Sequence, residues 1–277
     1  MRRIEERYIS LLTDFGFKRI FGTKLNKDLL INFLNSLFEG FQVIKDVKYL
    51  NSEHVGDVFA ERKPIFDVCC ENEKGEKFIV EMQNASIFPI REQAPKGADW
   101  NFKLDHVYIV ALLNFDLSEE AFDKDDINHD MGLLDKKTHK VFNDKLSFKY
   151  VEIAKFDKTK DELVTLYDKW LYVLKNLSRL DERPAALKEK IFSKLFEEAE
   201  IAKFTPTELK EYEDSLKAYR DVKNSIDTAL EKGREEGRAE SKNLKVIQIA
   251  KKMLAAGMDI DTVINMTDLS KSEIEKL

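Results

Sequence analysis

The segment FDVCCENEKGEKFIVEMQ, residues 66–83, has two apolar arms around a polar middle. Glu73-Lys74-Gly75 suits a three-residue hairpin loop, a type I turn followed by a glycine in the left-handed region. That loop pairs Asn72 with Glu76, and the residue numbers of every later pair then sum to 148. Asp67 falls opposite Glu81. Side chains alternate along a strand, so Gln83 shares the Glu81 face while Met82 points away. Carboxylates placed opposite each other repel. The apolar flanks (Ile65, Phe66, Val68, Ile79, Val80) predict that both faces of this pair are covered. Two like charges in a partly dry place must be protonated or share a cation. A hard divalent ion is one solution, since Mg²⁺ commonly takes one or two protein carboxylates and leaves room for water and a phosphate. The Met82 main-chain carbonyl is a candidate third ligand. The other solution is ordinary: Asp67 and Glu81 lie near a solvated strand end, each paired with a lysine.

Composition narrows the function classes. The chain has 277 residues, 43% hydrophobic and 35% charged, with a net charge of −6. Up to Phe156 there are 23 Lys+Arg against 27 Asp+Glu, and 23 against 25 after it. Neither half carries a basic footprint, which argues against binding nucleic acid by bulk charge. It leaves open an enzyme that grips DNA through a metal ion and a few local cations. Only two cysteines occur, Cys69 and Cys70, adjacent in one strand, so neither a disulfide framework nor a cysteine metal site is expected. MRRIEERYISLLTDFGF has no apolar core of signal-peptide length, and VYIVALL (107–113) is far too short to span a bilayer. No membrane association is expected, and the cytoplasm is the expected compartment. No Gly-rich phosphate loop stands out, so no nucleotide cofactor is expected.

The periodicity divides the chain. Asn26 to Phe38 carries Leu29, Leu30, Phe33, Leu34 and Leu37 on one helical stripe. Strands are predicted over 43–49, 65–71, 77–83 and 106–114, with a helix over 91–104. Residues 141–153 could add one or two edge strands, and 121–132 (AFDKDDINHDMG) reads as a solvated loop around His129. The order α-β-β-β-α-β gives an α/β class. Beyond residue 157 the pattern is helical: 161–177, 184–202 and 207–229. EKGREEGRAESK (231–242) reads as a polar, bending linker because Gly233 and Gly237 lie in one turn. Residues 243–277 read as three short helices with Gly257 as a C-cap and Ser270/Glu273 as a capping box. That spacing is helix-turn-helix-like, but a final helix of about two turns is short for reading DNA and suits packing or partner binding better. The predicted domains are 1–156, 157–242 and 243–277.

Three blocks together resemble a known group. They are TDFGFKRIFG (13–22), KPIFDVCCENEKGEKFIVEMQ (63–83), and the tail with EKGREEGRAE and AKKMLAAGMDIDTV. Asp, about fourteen residues, then Glu-x-(Lys or Gln) across a hairpin resembles the PD-(D/E)XK nucleases. The set is most similar to the Rpn-like recombination-promoting nucleases and transposases. The resemblance implies a restriction-endonuclease-like mixed-sheet core flanked by helices, followed by an all-helical C-terminal region. It implies metal-dependent cleavage of DNA linked to recombination or transposition, with Mg²⁺ or Mn²⁺ as cofactor and DNA as partner. Asp67 and Glu81 would bind the metal, and Gln83 would stand where a lysine usually does, offering neutral hydrogen bonds in place of charge. Asp14 would be a further acidic site residue or a helix cap. Lys18, one turn on, would supply the missing cation or simply pair with Asp14. Arg91 could clamp a DNA phosphate. A homodimer would suit two cuts in a duplex. The alternative is a nuclease fold that binds DNA or protein without cutting.

Overall fold

The computed structural model describes residues 6–50, 68–82, 105–117, 123, 125–274 and 276. The predicted helix over 91–104 lies outside them. Six strands form one mixed sheet: β1 (Val47–Tyr49), β2 (Val68–Asn72), β3 (Lys77–Met82), β4 (Val107–Leu113), β5 (Asn128–Leu134) and β6 (Val141–Glu152), in the order β1-β2-β3-β4-β6-β5. β1, β2 and β3 are an antiparallel meander, β3, β4 and β6 run parallel, and β5 returns antiparallel on β6. Every residue of β4 is buried, as expected for an unbroken apolar run placed between two parallel neighbours.

Alternation sorts the core. Phe78, Val80, Tyr108, Val110 and Leu112 join the main cluster, whereas Ile79, Val107, Ile109 and Leu146 form a second one. The main cluster packs on helices α1 (Asp14–Phe21), α2 (Lys27–Leu37), α3 (Leu166–Asn176) and α4 (Lys190–Glu198). The whole predicted stripe of α2 is buried there. Trp170 of α3 is its hub, with Phe21, Phe33 and Phe192 around the indole and its Nε1 donating to Asn32 Oδ1 at 2.8 Å.

Three expectations need correction. The strand over 141–153 is not an edge: β6 lies between β4 and β5. The edge is β5, formed partly from residues read as a loop, and only His129 is buried in it, so it carries almost no apolar signal. The predicted linker is helical. α5 runs unbroken over Pro206–Ala255 and includes Gly233 and Gly237. Two glycines cost about 1 kcal/mol each, and the Glu, Lys, Arg and Ala around them are strong enough helix formers to carry the helix through.

Contacts divide the chain into two compact units, Met1–Tyr219 and Arg220–Leu277. In the second, the end of α5 packs with α6 (Ile260–Thr267) and α7 (Lys271–Ile274) around Ala250, Val263, Leu269 and Ile274. Gly257 closes α5 at φ +81°, and Asp259 caps α6 by accepting from Thr262 N–H. Glu273 Oε2 accepts from the Ser270 N–H and hydroxyl, half of the reciprocal capping box read from the sequence, and α7 is only four residues long. Among the described residues no helix is long and apolar enough to cross a membrane.

In the first unit, α5 is fastened to α1 at its start. Thr205 N–H and hydroxyl bond Glu208, which also pairs with Arg19, and the Arg19 guanidinium lies 4.2 Å from the Phe204 ring centre. The Thr205 N–H and hydroxyl, then Arg19, hold the Glu208 carboxyl down at about 2. A folded pKa below the unfolded one contributes stability that is present above about pH 4.5 and lost as pH falls towards 2. Glu208→Gln should therefore flatten the acid limb of a stability-against-pH curve over that window.

The glycines allow a sharper test. A Cβ on Gly16 would stand 2.1 Å from the Ser10 carbonyl oxygen, whereas at Gly233 and Gly237 it would meet nothing within 4 Å. Gly16→Ala should destabilise the first unit by about 1–3 kcal/mol in chemical denaturation. Gly233→Ala and Gly237→Ala should each raise helicity and add about 0.5–1 kcal/mol to the stability of α5.

Candidate active site

The hairpin at residues 68–82 has the predicted turn. Gly75 takes φ +81°, Asn72 N–H donates to the Glu76 carbonyl at 3.0 Å, and Gly75 N–H to the Asn72 carbonyl at 3.1 Å. Asn72 Oδ1 also accepts from Lys74 and Glu76 N–H, which fixes the loop from inside. The pairs Glu71–Lys77, Cys70–Phe78, Cys69–Ile79 and Val68–Val80 all keep the sum of 148. Asp67, Gln83 and Arg91 lie outside the described residues. Glu81 is in β3, in register with Ala111, the smallest residue of β4, and Met82 is the last residue of that strand.

The parallel strands β3, β4 and β6 end on one rim, at Met82, Leu113 and Glu152. Open α/β sheets bind ligands beyond the carboxyl ends of parallel strands. One stripe of α5 ties this rim to the first turn of α1. Tyr212 hydroxyl accepts from Ser10 N–H at 2.9 Å, Ser215 Oγ from Phe15 N–H at 3.0 Å, and Tyr219 hydroxyl from Asn114 Nδ2. Residues 215 and 219 are one turn, about 6 Å, apart. The start of α1, where Asp14 and Lys18 sit, is thus held on the side where β4 ends.

Thr13, not Asp14, is the cap of α1: its Oγ1 accepts from Gly16 N–H at 3.1 Å. Asp14 stands free of that duty, in the first turn, and pairs with Lys18 at 2.6 Å. Of the two roles weighed for Lys18, the pairing with Asp14 is the one seen.

Sequence reasoning missed a buried charge on the rim. Glu152 is fully buried, and its Oε1 takes bonds from His129 Nε2 at 2.6 Å and Lys155 Nζ at 2.8 Å. Its Oε2 accepts from Leu117 N–H at 2.7 Å. One carboxylate therefore fixes the segment after β4, the edge strand β5 and the turn after β6. His129 sits in an acid-rich stretch that reads as solvent-exposed, and only the pairing of β5 with β6 brings it to Glu152. Among the described residues no three His, Cys, Asp or Glu side chains come together as an ion site.

Two family models match the chain. Residues 11–229 match PD-(D/E)XK nuclease family transposase, and residues 243–277 match the C-terminal HTH domain of the Rpn/YhgA-like nuclease family. The tail whose spacing reads as helix-turn-helix-like thus matches a helix-turn-helix model. No curated protein and no solved structure matches.

The Glu152 brace makes a direct prediction. Glu152→Ala leaves Lys155 and His129 without their buried partner and should cost about 3–5 kcal/mol in denaturant titration. Glu152→Gln, which keeps an acceptor for Leu117 N–H, should cost less.

Proposed function

The chain belongs to the PD-(D/E)XK nuclease family transposases, and on that footing we propose that it is a Mg²⁺- or Mn²⁺-dependent endonuclease. It would hydrolyse DNA phosphodiester bonds in the recombination or transposition of mobile elements. The observation that supports this reading is the hairpin register. Four successive pairs keep one ladder, and the same count carried one step further along the sequence would set Asp67 against Glu81. Carboxylates at facing positions repel unless one is protonated or a cation joins them. Two carboxylates with a neighbouring main-chain carbonyl, that of Met82, make an oxygen donor set that suits a hard divalent ion.

Such an ion, when bound, acidifies a water and offsets charge on the phosphate. Asp67 and Glu81 would hold it, and their charge would keep the attacking water oriented. Gln83 would donate its amide N–H to a phosphoryl oxygen, and Arg91 would grip a flanking phosphate with two parallel N–H bonds. Asp14 lies on the same side of the fold and could accept a proton from water through a second bond.

A second reading has one observation in its favour. Lys18, the cation that could replace the usual lysine, is already paired with Asp14. With Gln83 neutral, the site would then lack a free positive charge near the leaving oxygen, and the protein would bind DNA or a partner without cutting. A supercoiled-plasmid assay separates the two readings. Wild type should nick or linearise plasmid with Mg²⁺ or Mn²⁺, and Asp67→Ala or Glu81→Ala should lower the rate at least a hundredfold while leaving the melting temperature in EDTA unchanged. No cleavage by wild type with either ion, and no effect of either substitution, would leave the binding reading standing. Gln83→Lys should raise the rate if charge is what the site lacks.

A further inference from the structure

The α5–α7 unit has a charge distribution that its net charge hides. Residues 259–277 hold Asp259, Asp261, Asp268, Glu273 and Glu275 against Lys271 and Lys276, a balance of −3. α6 has no cation at all, and α7 is one turn long. The segment that carries these two helices is acidic as a whole. Between Glu240 and Asp259, by contrast, the chain carries Lys242, Lys245, Lys251 and Lys252 and no acid.

Helical geometry gathers cations on one face. At about 100° per residue, Arg234, Arg238, Lys242, Lys245 and Lys252 fall within about 80° of arc. The acids between Arg234 and Lys252, Glu235, Glu236 and Glu240, fall outside it, and Glu231, one turn before Arg234, falls inside it. The opposite side of α5 is where Val246, Ala250 and Leu254 pack with the tail. All five cations are exposed, and among the described residues none is in an ion pair, whereas Lys232 on another face pairs with Glu236. Arg234, Gly237, Arg238, Ser241, Lys242 and Lys245 line an open depression of about 520 Å³. Gly237 in it has nothing within 4 Å of where a Cβ would stand. Exposed mid-helix glycine costs about 1 kcal/mol, so a glycine that packs against nothing in its own chain calls for an outside reason.

We propose that this face of α5, Arg234, Arg238, Lys242, Lys245 and Lys252, is a track for the phosphate backbone of duplex DNA. It supplies a sequence-independent grip that the acidic segment 259–277 does not. Charge complementarity selects the occupant: five exposed cations in a row match a polyanion. From Arg234 to Lys245 the helix rises about 16 Å, enough to follow several phosphates. Gly237 lets the backbone approach the helix axis closely, and Ser241 and Gln248 add neutral donors on the same side. The acidic total of the chain is no objection, because phosphate binding answers to local charge.

Salt dependence tests the track without any need for cleavage. Full-length protein in EDTA is titrated into a labelled duplex of arbitrary sequence, about three helical turns long, over a series of KCl concentrations. R234Q/R238Q/K242Q/K245Q should keep its circular dichroism and weaken low-salt binding more than tenfold. The slope of log affinity against log salt should fall by about 3 to 4, near 0.9 for each phosphate that is no longer neutralised. Arg238→Gln alone should lower the slope by about 1. K232Q/K251Q, which removes two charges from other faces, should leave the slope unchanged. The proposal is overturned if the quadruple variant binds as wild type does, or if K232Q/K251Q lowers the slope as much per charge. It is equally overturned if the quadruple variant changes only the sedimentation of the protein, which would make the face a protein-binding surface. Asp67→Ala should retain the full slope, so failure of the nuclease reading and failure of this one give different results.

Discussion

Gly75 sets the register on which the sheet and the candidate site both depend. Its positive φ closes a three-residue loop that a residue with a Cβ would strain, and Asn72 locks that loop with three side-chain bonds. Slipping the hairpin by one residue would turn every side chain of β2 or β3 to the wrong face. Phe78 and Val80 would leave the cluster around Trp170 and Phe33, and Ile79 would enter it. The burial of those residues and the geometry of the turn therefore enforce the same pairing. Any role for residue 81 opposite residue 67 is inherited from that agreement.

Much of this was legible in the residues. The loop chemistry of Glu73-Lys74-Gly75 predicts the register found, the unbroken run of β4 marks the middle of the sheet, and the five-residue stripe of α2 is buried as read. What escaped the sequence escaped for physical reasons. β5 is an edge strand with one buried residue, so nothing in its pattern separates it from a loop. Gly233 and Gly237 look like breaks when counted alone, yet helix propensity is a sum over many residues, and the flanking charged side chains outweigh them. Glu152 and His129 are far apart in the chain and meet only through tertiary pairing. Of the site itself, the structure places the backbone of Glu81 and Met82 and the first turn of α1 with Asp14 and Lys18. Asp67, Gln83 and Arg91 stand on sequence and family alone.

The electrostatics divide the labour. In the sheet unit, charges are tied down where order is needed: Glu152 beneath Lys155 and His129 at the strand ends, and Arg19 with Glu208 at the start of α5. In the tail unit, five cations on one side of α5 face outward. An overall charge of −6 conceals this, because composition averages over faces that the helix keeps apart.

Anomalous diffraction from a crystal soaked in Mn²⁺ tests the central claim most directly. The account predicts one strong anomalous peak bonded to a carboxylate oxygen of Asp67 and one of Glu81, weakened in a crystal of Glu81→Gln. A fully occupied peak elsewhere, or carboxylates at 67 and 81 each paired with a lysine and no metal between them, would contradict it.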